Sequence, residues 1–351
     1  MNLKKERKMK TKFLFLLFII FNISLYSKTI VDMSNTKVEV PNKIERIFGS
    51  APPTTFLVAL YNPNLLVGLN FPAINENNIA DEKYLGKYFM NLPVIGGWHG
   101  NQKGANLEKL LSLNTQIILA WQNNFLFQKV ENSLGKIDIP IVMIDADNLP
   151  KTPQTFRFLG ELLDNQKRGE ELASYAEETL NYIEEMTKNI SKDKEVSFYY
   201  AQGHNGLQSD CQDSFHTTQF RFIKAKNIFE CVQKNIVGME NLSFETILKA
   251  NPEYIIVQSP QFYKQIFTDT NWQMLDAVKQ KKVYLVPRVP FNWIDRPPSF
   301  MRLLGIHWLS SIMYKDYYKK DIKEEIKKFY KLFFNFDLDE KTLENISKGA
   351  L

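Results

Sequence analysis

Asn106-Leu-Glu-Lys-Leu-Leu-Ser-Leu-Asn-Thr-Gln-Ile-Ile-Leu119 and Ser243-Phe-Glu-Thr-Ile-Leu-Lys-Ala-Asn-Pro-Glu-Tyr-Ile-Ile256 are two passes through one pattern, at a constant offset of 137 residues. Each opens on a side chain suited to cap a helix, Asn106 or Ser243, runs through a short helix, and ends in a turn and a buried apolar strand. Glu108 and Glu245 both take the second helical position. A carboxylate there is favoured by the helix dipole alone; the informative feature is that the two placements are equivalent. A repeated helix, turn and strand unit predicts two related lobes.

Around these segments, apolar runs bounded by turn signals alternate with helical periodicity, the pattern of an α/β protein with mostly parallel sheets. The runs predict strands at 44–48, 65–69, 116–120, 139–144, 196–200, 254–257 and 283–286. The longest helical pattern covers 152–190, where Phe156, Leu159, Leu162, Leu163, Leu172, Tyr175, Ala176, Leu180 and Ile183 recur at threes and fours. Only Gly160 and Gly169 interrupt it, and it separates two strand-rich halves. The expected organisation is a first lobe over 28–150, a linker helix over 151–190 and a second lobe over 191–351. A helix packed inside one continuous domain is the alternative.

Residues 1–27 predict export. Lys4, Lys5, Arg7, Lys8, Lys10 and Lys12 precede an apolar run from Phe13 to Phe21, which is far shorter than the roughly 20 residues that span a bilayer. Asn22, Ser24 and Ser27 follow, so the segment reads as a signal peptide cleaved near Ser27, with an uncleaved anchor as the alternative. Its loss takes away six basic groups and one acidic group and leaves the rest of the chain with no net charge. With no Lys/Arg stripe interleaved with aromatics, nothing points to nucleic acid. The remaining length suffices for two separate cores.

Cys211 and Cys231, the only cysteines, lie twenty residues apart. In an oxidising compartment such a pair reads first as a disulfide, with two buried thiols as the second choice. A thiolate metal site lacks both a C-x-x-C and a third cysteine.

Taken together these residues resemble the periplasmic binding proteins of iron-siderophore, haem, cobalamin and nickel-chelate importers, in which one long helix joins two Rossmann-like lobes around a ligand cleft. The resemblance runs from about Lys28 onward. It is carried by the paired Glu helices and by Ile44-Glu-Arg-Ile-Phe-Gly-Ser-Ala-Pro-Pro-Thr-Thr55, Leu66-Val-Gly-Leu69 and Val94-Ile-Gly-Gly-Trp-His-Gly100. Later come Trp272-Gln-Met-Leu-Asp-Ala-Val278, Val283-Tyr-Leu-Val-Pro287 and Arg296-Pro-Pro-Ser299. It implies that Glu108 and Glu245 dock into a membrane permease coupled to an ATPase. A monomeric receptor that makes and breaks no bond is expected, and nothing is expected to be bound permanently.

Ligands of open α/β sheets sit beyond the carboxyl ends of the strands. Two of the four histidines, His99 and His204, fall in such loops, one per expected lobe. Imidazoles from opposite walls would complete the coordination of Fe3+, Ni2+ or Co2+ already held by a small chelator; hydrogen bonding at the surface is the plainer role. His216, in a helix start capped by Asp213 or Ser214, reads as structural or as facing the cleft, and His307 as a core residue. Arg288 and Arg296 suit ligand carboxylates bidentately, or pair with Asp295 or a neighbouring acid. Trp98, Trp121, Phe291 and Trp293 offer flat walls, some of them as plain packing. An enzyme on the same scaffold is the rival, but no G-x-S-x-G, Walker loop, H-E-x-x-H or C-x-x-C is present. A haem or cobalamin receptor is the rival within the resemblance.

Overall fold

The computed structural model describes residues 27–351 except 101, 103, 123–129, 131, 135–136 and 235–236. The expected signal peptide therefore lies, apart from Ser27, outside the described residues. No described helix is long and apolar enough to cross a membrane.

The described residues open with an antiparallel hairpin, β1 (Ser27–Val31) and β2 (Lys37–Pro41). Asp32 pins it to the first sheet: its Oδ2 accepts the Met143 amide at 3.0 Å. That sheet is parallel, in the order β3 (Ile47–Gly49), β4 (Ile117–Trp121), β5 (Ile141–Ile144). A second parallel sheet has the order β7 (Lys226–Asn227), β6 (Ser197–Ala201), β8 (Tyr254–Val257), β9 (Val283–Leu285). All five residues of β4 and all four of β8 are buried, as apolar strands covered on both faces must be. The expected strand at 65–69 contributes only isolated bridges, Ile47 to Leu66 and Leu69 to Val94.

The repeated segments fold alike. Helices α2 (Leu107–Ser112) and α5 (Phe244–Ala250) are capped by Asn106, which accepts from the Lys109 amide at 2.9 Å, and by Ser243, which accepts from Thr246 at 3.2 Å. Each leads into an interior strand of its sheet, and Glu108 and Glu245 stand exposed.

The long connecting helix is α4 (Gln166–Lys188). The 152–190 run is not continuous, because α3 (Thr152–Leu162) stops at a turn where Asp164 takes a φ of 52°. The chain then folds back, and Arg157 pairs with both Glu170 and Glu177. The two glycines that looked like helix breakers sit inside the helices at their closest approach: a Cβ on Gly160 would stand 3.0 Å from the Gly169 Cα. Their role is packing, and the break belongs to Asp164.

Helix α6 (Arg302–Met313) is buried almost all round, and α7 (Ile322–Phe334) lays Phe329 and Phe333 against it and against Phe300. One apolar cluster runs from Ile117 and Val142 of the first sheet, through Phe156 and Ile183, to Phe198 and Ile256 of the second. The lobes therefore share a core along one side and part only at the carboxyl ends of their strands.

Candidate functional site

At those strand ends lies a cavity of about 260 Å³. The first lobe lines it with Pro52, Pro53, Phe71, His99 and Trp121, and with Asn75, Asn77 and Asn78 from one turn. The second contributes Phe215, His216, Val237, Arg296, Pro297 and Pro298.

His99 is placed by a knot of hydrogen bonds around the Asn70 side chain. The Asn70 side chain donates through Nδ2 to the Gly49 carbonyl at 2.8 Å and to the Gly96 carbonyl at 3.1 Å, and the Trp98 backbone amide donates to the Ser50 carbonyl at 2.8 Å. Gly97 is required there, since a Cβ would stand 2.7 Å from both the Asn70 nitrogen and the Ser50 carbonyl. Burial pushes the His99 imidazole down to about 4, so it is neutral at physiological pH. Its Nδ1 is buried with no partner among the described residues, and Phe71 packs edge-on at 5.8 Å.

The floor of the second lobe is a buried polar lattice. His216 shares a hydrogen bond through Nδ1 with Asp295, and Arg302 donates to the other oxygen of that carboxylate at 3.0 Å. Burial alone would raise Asp295, but His216, then Arg302 and Arg296, hold it below the usual carboxylate range. Arg296 spreads its fork over Asp210 Oδ2 at 2.6 Å, Gln202 Oε1 at 2.9 Å and the Val237 carbonyl, with Nη1 3.3 Å from His216 Nε2. Arg302 reaches the first lobe, donating to the Asp147 carbonyl at 2.7 Å, and Trp121 Nε1 donates to the Asp147 carboxylate at 2.8 Å. Burial raises Asp147 against the pull of Arg302. Cys211 and Cys231 are joined in a disulfide that ties the segment leading to His216 to the loop leading to Val237.

Several expected site residues stand elsewhere. His204 is exposed at the tip of a turn made when Gln202 bridges to Gln208, so it faces solvent and the chain brings His216 opposite His99 instead. Trp98 is buried in the first-lobe core, Phe291 stacks on Phe56 at 3.7 Å, and Trp293 packs against Trp308. These three belong to the core because β4 and α6 need broad apolar cover. Arg288 does not line the cavity; it donates to the Glu76 carbonyl at 2.5 Å. Among the expected residues, Trp121 and His99 do line it, and Arg296 both lines it and pairs with acids. The residues missed were Phe71, Asn75, Asn77, Asn78 and Phe215. The Asn-Glu-Asn-Asn cluster was a legible turn signal, but nothing local said that the turn faces the second lobe. Among the described residues no three His, Cys, Asp or Glu side chains converge as a metal centre.

A family profile described as periplasmic binding protein matches residues 99–290. An ABC transporter solute binding protein from Sulfurospirillum deleyianum is 40% identical, with 91% of this chain and 99% of that one covered at a TM-score of 0.88. The molybdate-binding protein MolA of Haemophilus influenzae is 23% identical over 93% of this chain and 97% of its own. The fold is shared with Helicobacter pylori CeuE in a nickel-histidine complex, at 16% identity, a TM-score of 0.67 and coverage of 91% and 98%.

Proposed function

We propose, since this chain belongs to the periplasmic binding protein family, that it is the extracytoplasmic receptor of an ABC importer and that its cargo is a small metal chelate, an iron-siderophore or a nickel or cobalt complex. The observation that carries this is His99, a neutral, partly buried imidazole on the wall of a compact cavity with aromatic and amide surfaces. Neutral imidazole is a good donor to Fe, Ni and Co, and one protein ligand suffices when the chelator fills the other positions. Phe71, Trp121 and Phe215 supply flat surface for an organic chelator, and the asparagines supply polar handles.

Two neighbouring readings are less well served. A bare oxyanion, as in the molybdate-binding relative, is best held by the free amides of a helix N-terminus. Here the helix α1 (Pro52–Tyr61) points its start at the cavity with proline in its first two positions, which have no N–H to give. A macrocycle such as haem or cobalamin asks for more room than about 260 Å³, a volume below the roughly 300–1,000 Å³ of typical pockets for drug-sized ligands.

Delivery follows from the exposed carboxylates. Glu108 and Glu245 are exposed at equivalent places on the two lobes, so a permease with two basic pockets would engage both lobes at once. The backbone amide of Glu245 itself and then the Ser243 hydroxyl hold the Glu245 carboxyl below the usual carboxylate range and so keep it charged.

Titration calorimetry against Ni2+ and Fe3+, each alone and with histidine, citrate or a catecholate, tests the cargo. Binding of one chelate far more tightly than its free metal is the expected result. Binding of molybdate or cobalamin in place of every chelate would overturn it.

A further inference from the structure

The turn at 75–78 belongs to the first lobe by sequence, and Asn75 Nδ2 donates to the Pro72 carbonyl at 3.0 Å, yet four of its other bonds go to the second lobe. Within itself it is tightly organised: the Asn75 amide donates to the Asn78 carbonyl at 2.9 Å, and Asn75 Oδ1 accepts the Asn77 amide at 3.0 Å and the Asn78 side-chain nitrogen at 3.3 Å. Ile74 and Ile79 bridge across its base. Four bonds then run from the first lobe to the second behind the cavity wall. Gln258 Nε2 donates to Asn77 Oδ1 at 2.7 Å, the Asn292 amide to Asn78 Oδ1 at 3.1 Å, Arg288 Nη1 to the Glu76 carbonyl at 2.5 Å, and the Ile79 amide to the Arg288 carbonyl at 2.9 Å.

We propose that this turn is a clasp between the lobes that closes one wall of the ligand cavity, and that Gln258 and Arg288 are positioning residues that hold the clasp without touching the ligand. The clasp rests on the reading of this cavity as the ligand site. Its cavity face carries Asn75, Asn77 and Asn78, while neither Gln258 nor Arg288 lines the cavity. Gln258 is buried with its Oε1 unpartnered among the described residues, which costs free energy at a purely structural position. Here that amide is placed to deliver its nitrogen to Asn77. Ala80 and Phe291, which flank the turn and its partners, belong to the shared core, so these bonds hold the edge of that core where it meets the cavity. All four are hydrogen bonds between lobes, and they release together when the strand ends part. The clasp governs how long a ligand stays more than how fast it arrives, because encounter precedes closure.

The test uses Gln258→Glu, which keeps shape but removes the donor to Asn77, and Arg288→Ala, with Arg288→Lys as the rescue that restores one donor for the Glu76 carbonyl. Spin labels on Lys109→Cys and Lys249→Cys, exposed on α2 and α5, read the distance between the lobes without any ligand. Stopped-flow dissociation of Ni2+ with histidine, or Fe3+ with citrate or a catecholate, reads residence. Gln258→Glu and Arg288→Ala should each broaden the distance distribution and speed dissociation by about 2- to 10-fold, the worth of one net hydrogen bond, with association unchanged. Arg288→Lys should recover most of both. Distance distributions and dissociation rates equal to the parent's would overturn the clasp. If no chelate binds the parent, the cargo reading fails, and the distance distributions still decide the clasp.

Discussion

Arg296 reaches under the cavity to Asp210, with Nη2 2.6 Å from Oδ2, and so joins the loop after β9 to the loop after β6. Asp210 has no solvent exposure, and Arg296 is the cation beside it. Removing one partner of a buried pair leaves an uncompensated charge, which costs about 3–5 kcal/mol. Arg296→Ala should lower stability to urea by that amount. Arg296→Lys, which has no fork to span Asp210, Gln202 and Val237, should fall between. A loss under about 1 kcal/mol would refute the assignment.

His99 and His204 should behave oppositely toward a bound chelate. His99→Ala removes the donor on the cavity wall and should weaken binding about 10- to 100-fold, the scale of losing support at a metal. His204→Ala alters an exposed turn and should change nothing. Calorimetry with the same chelate on both variants checks this, and equal losses would be inconsistent with His204 facing solvent.

Acid should weaken the fold through the buried imidazoles. Burial holds His99 down to about 4 and His307 down to about 3, against an ordinary value of 6.5. Between 6.5 and those values the unfolded chain binds more protons than the folded one, so stability falls as pH is lowered through that window and is unaffected above it. The urea midpoint should drop from about pH 6.5 toward pH 4. His307→Gln, which can still meet Thr179 and Tyr318, should make that drop shallower. An unchanged slope in this variant would exclude His307 as a contributor.

Gly160 and Gly169 let α3 and α4 pack backbone to backbone. Adding a methyl at either should destabilise by about 1–3 kcal/mol, because the obstructing atoms are main chain and cannot swing away. Gly86, around which there is open space, is the control for crowding, although its φ of 78° means alanine there is strained for a different reason. Urea denaturation of Gly160→Ala and Gly169→Ala measures the effect, and parent-like stability would show that the hairpin can relax.

Glu108→Arg and Glu245→Arg should each abolish import when the receptor is combined with its permease and ATPase in proteoliposomes, while ligand affinity in solution stays within about 2-fold of the parent. Import that survives both reversals would place docking elsewhere.

Much of this architecture is legible in the sequence. The repeated segment locates both capped helices and both interior strands because capping, amphipathic spacing and strand burial are local rules that act within a dozen residues. The strand at 254–257 is legible to the residue because four consecutive apolar side chains between turn signals leave little choice. The turn at Asp164 was not legible: aspartate is unremarkable in a helical run, and only the packing of α3 back onto α4 rewards its left-handed backbone. Cys211 and Cys231 could be read as a pair, but that their link fastens the wall carrying His216 came from the fold.

The sequence by itself determined the class of fold, the two equivalent lobes, the exposed carboxylate pair, and that His99 and Trp121 lie at strand ends. Tertiary structure alone decided which side chains meet. His216 replaces His204 at the cavity, Arg288 holds a turn of the opposite lobe, and Trp98, Phe291 and Trp293 go to the core. Convergence depends on where two sheets are set relative to each other, and that is fixed by the summed packing of a core running from Ile117 to Ile256. No short stretch of sequence encodes that geometry, whereas capping and periodicity are written into every few residues.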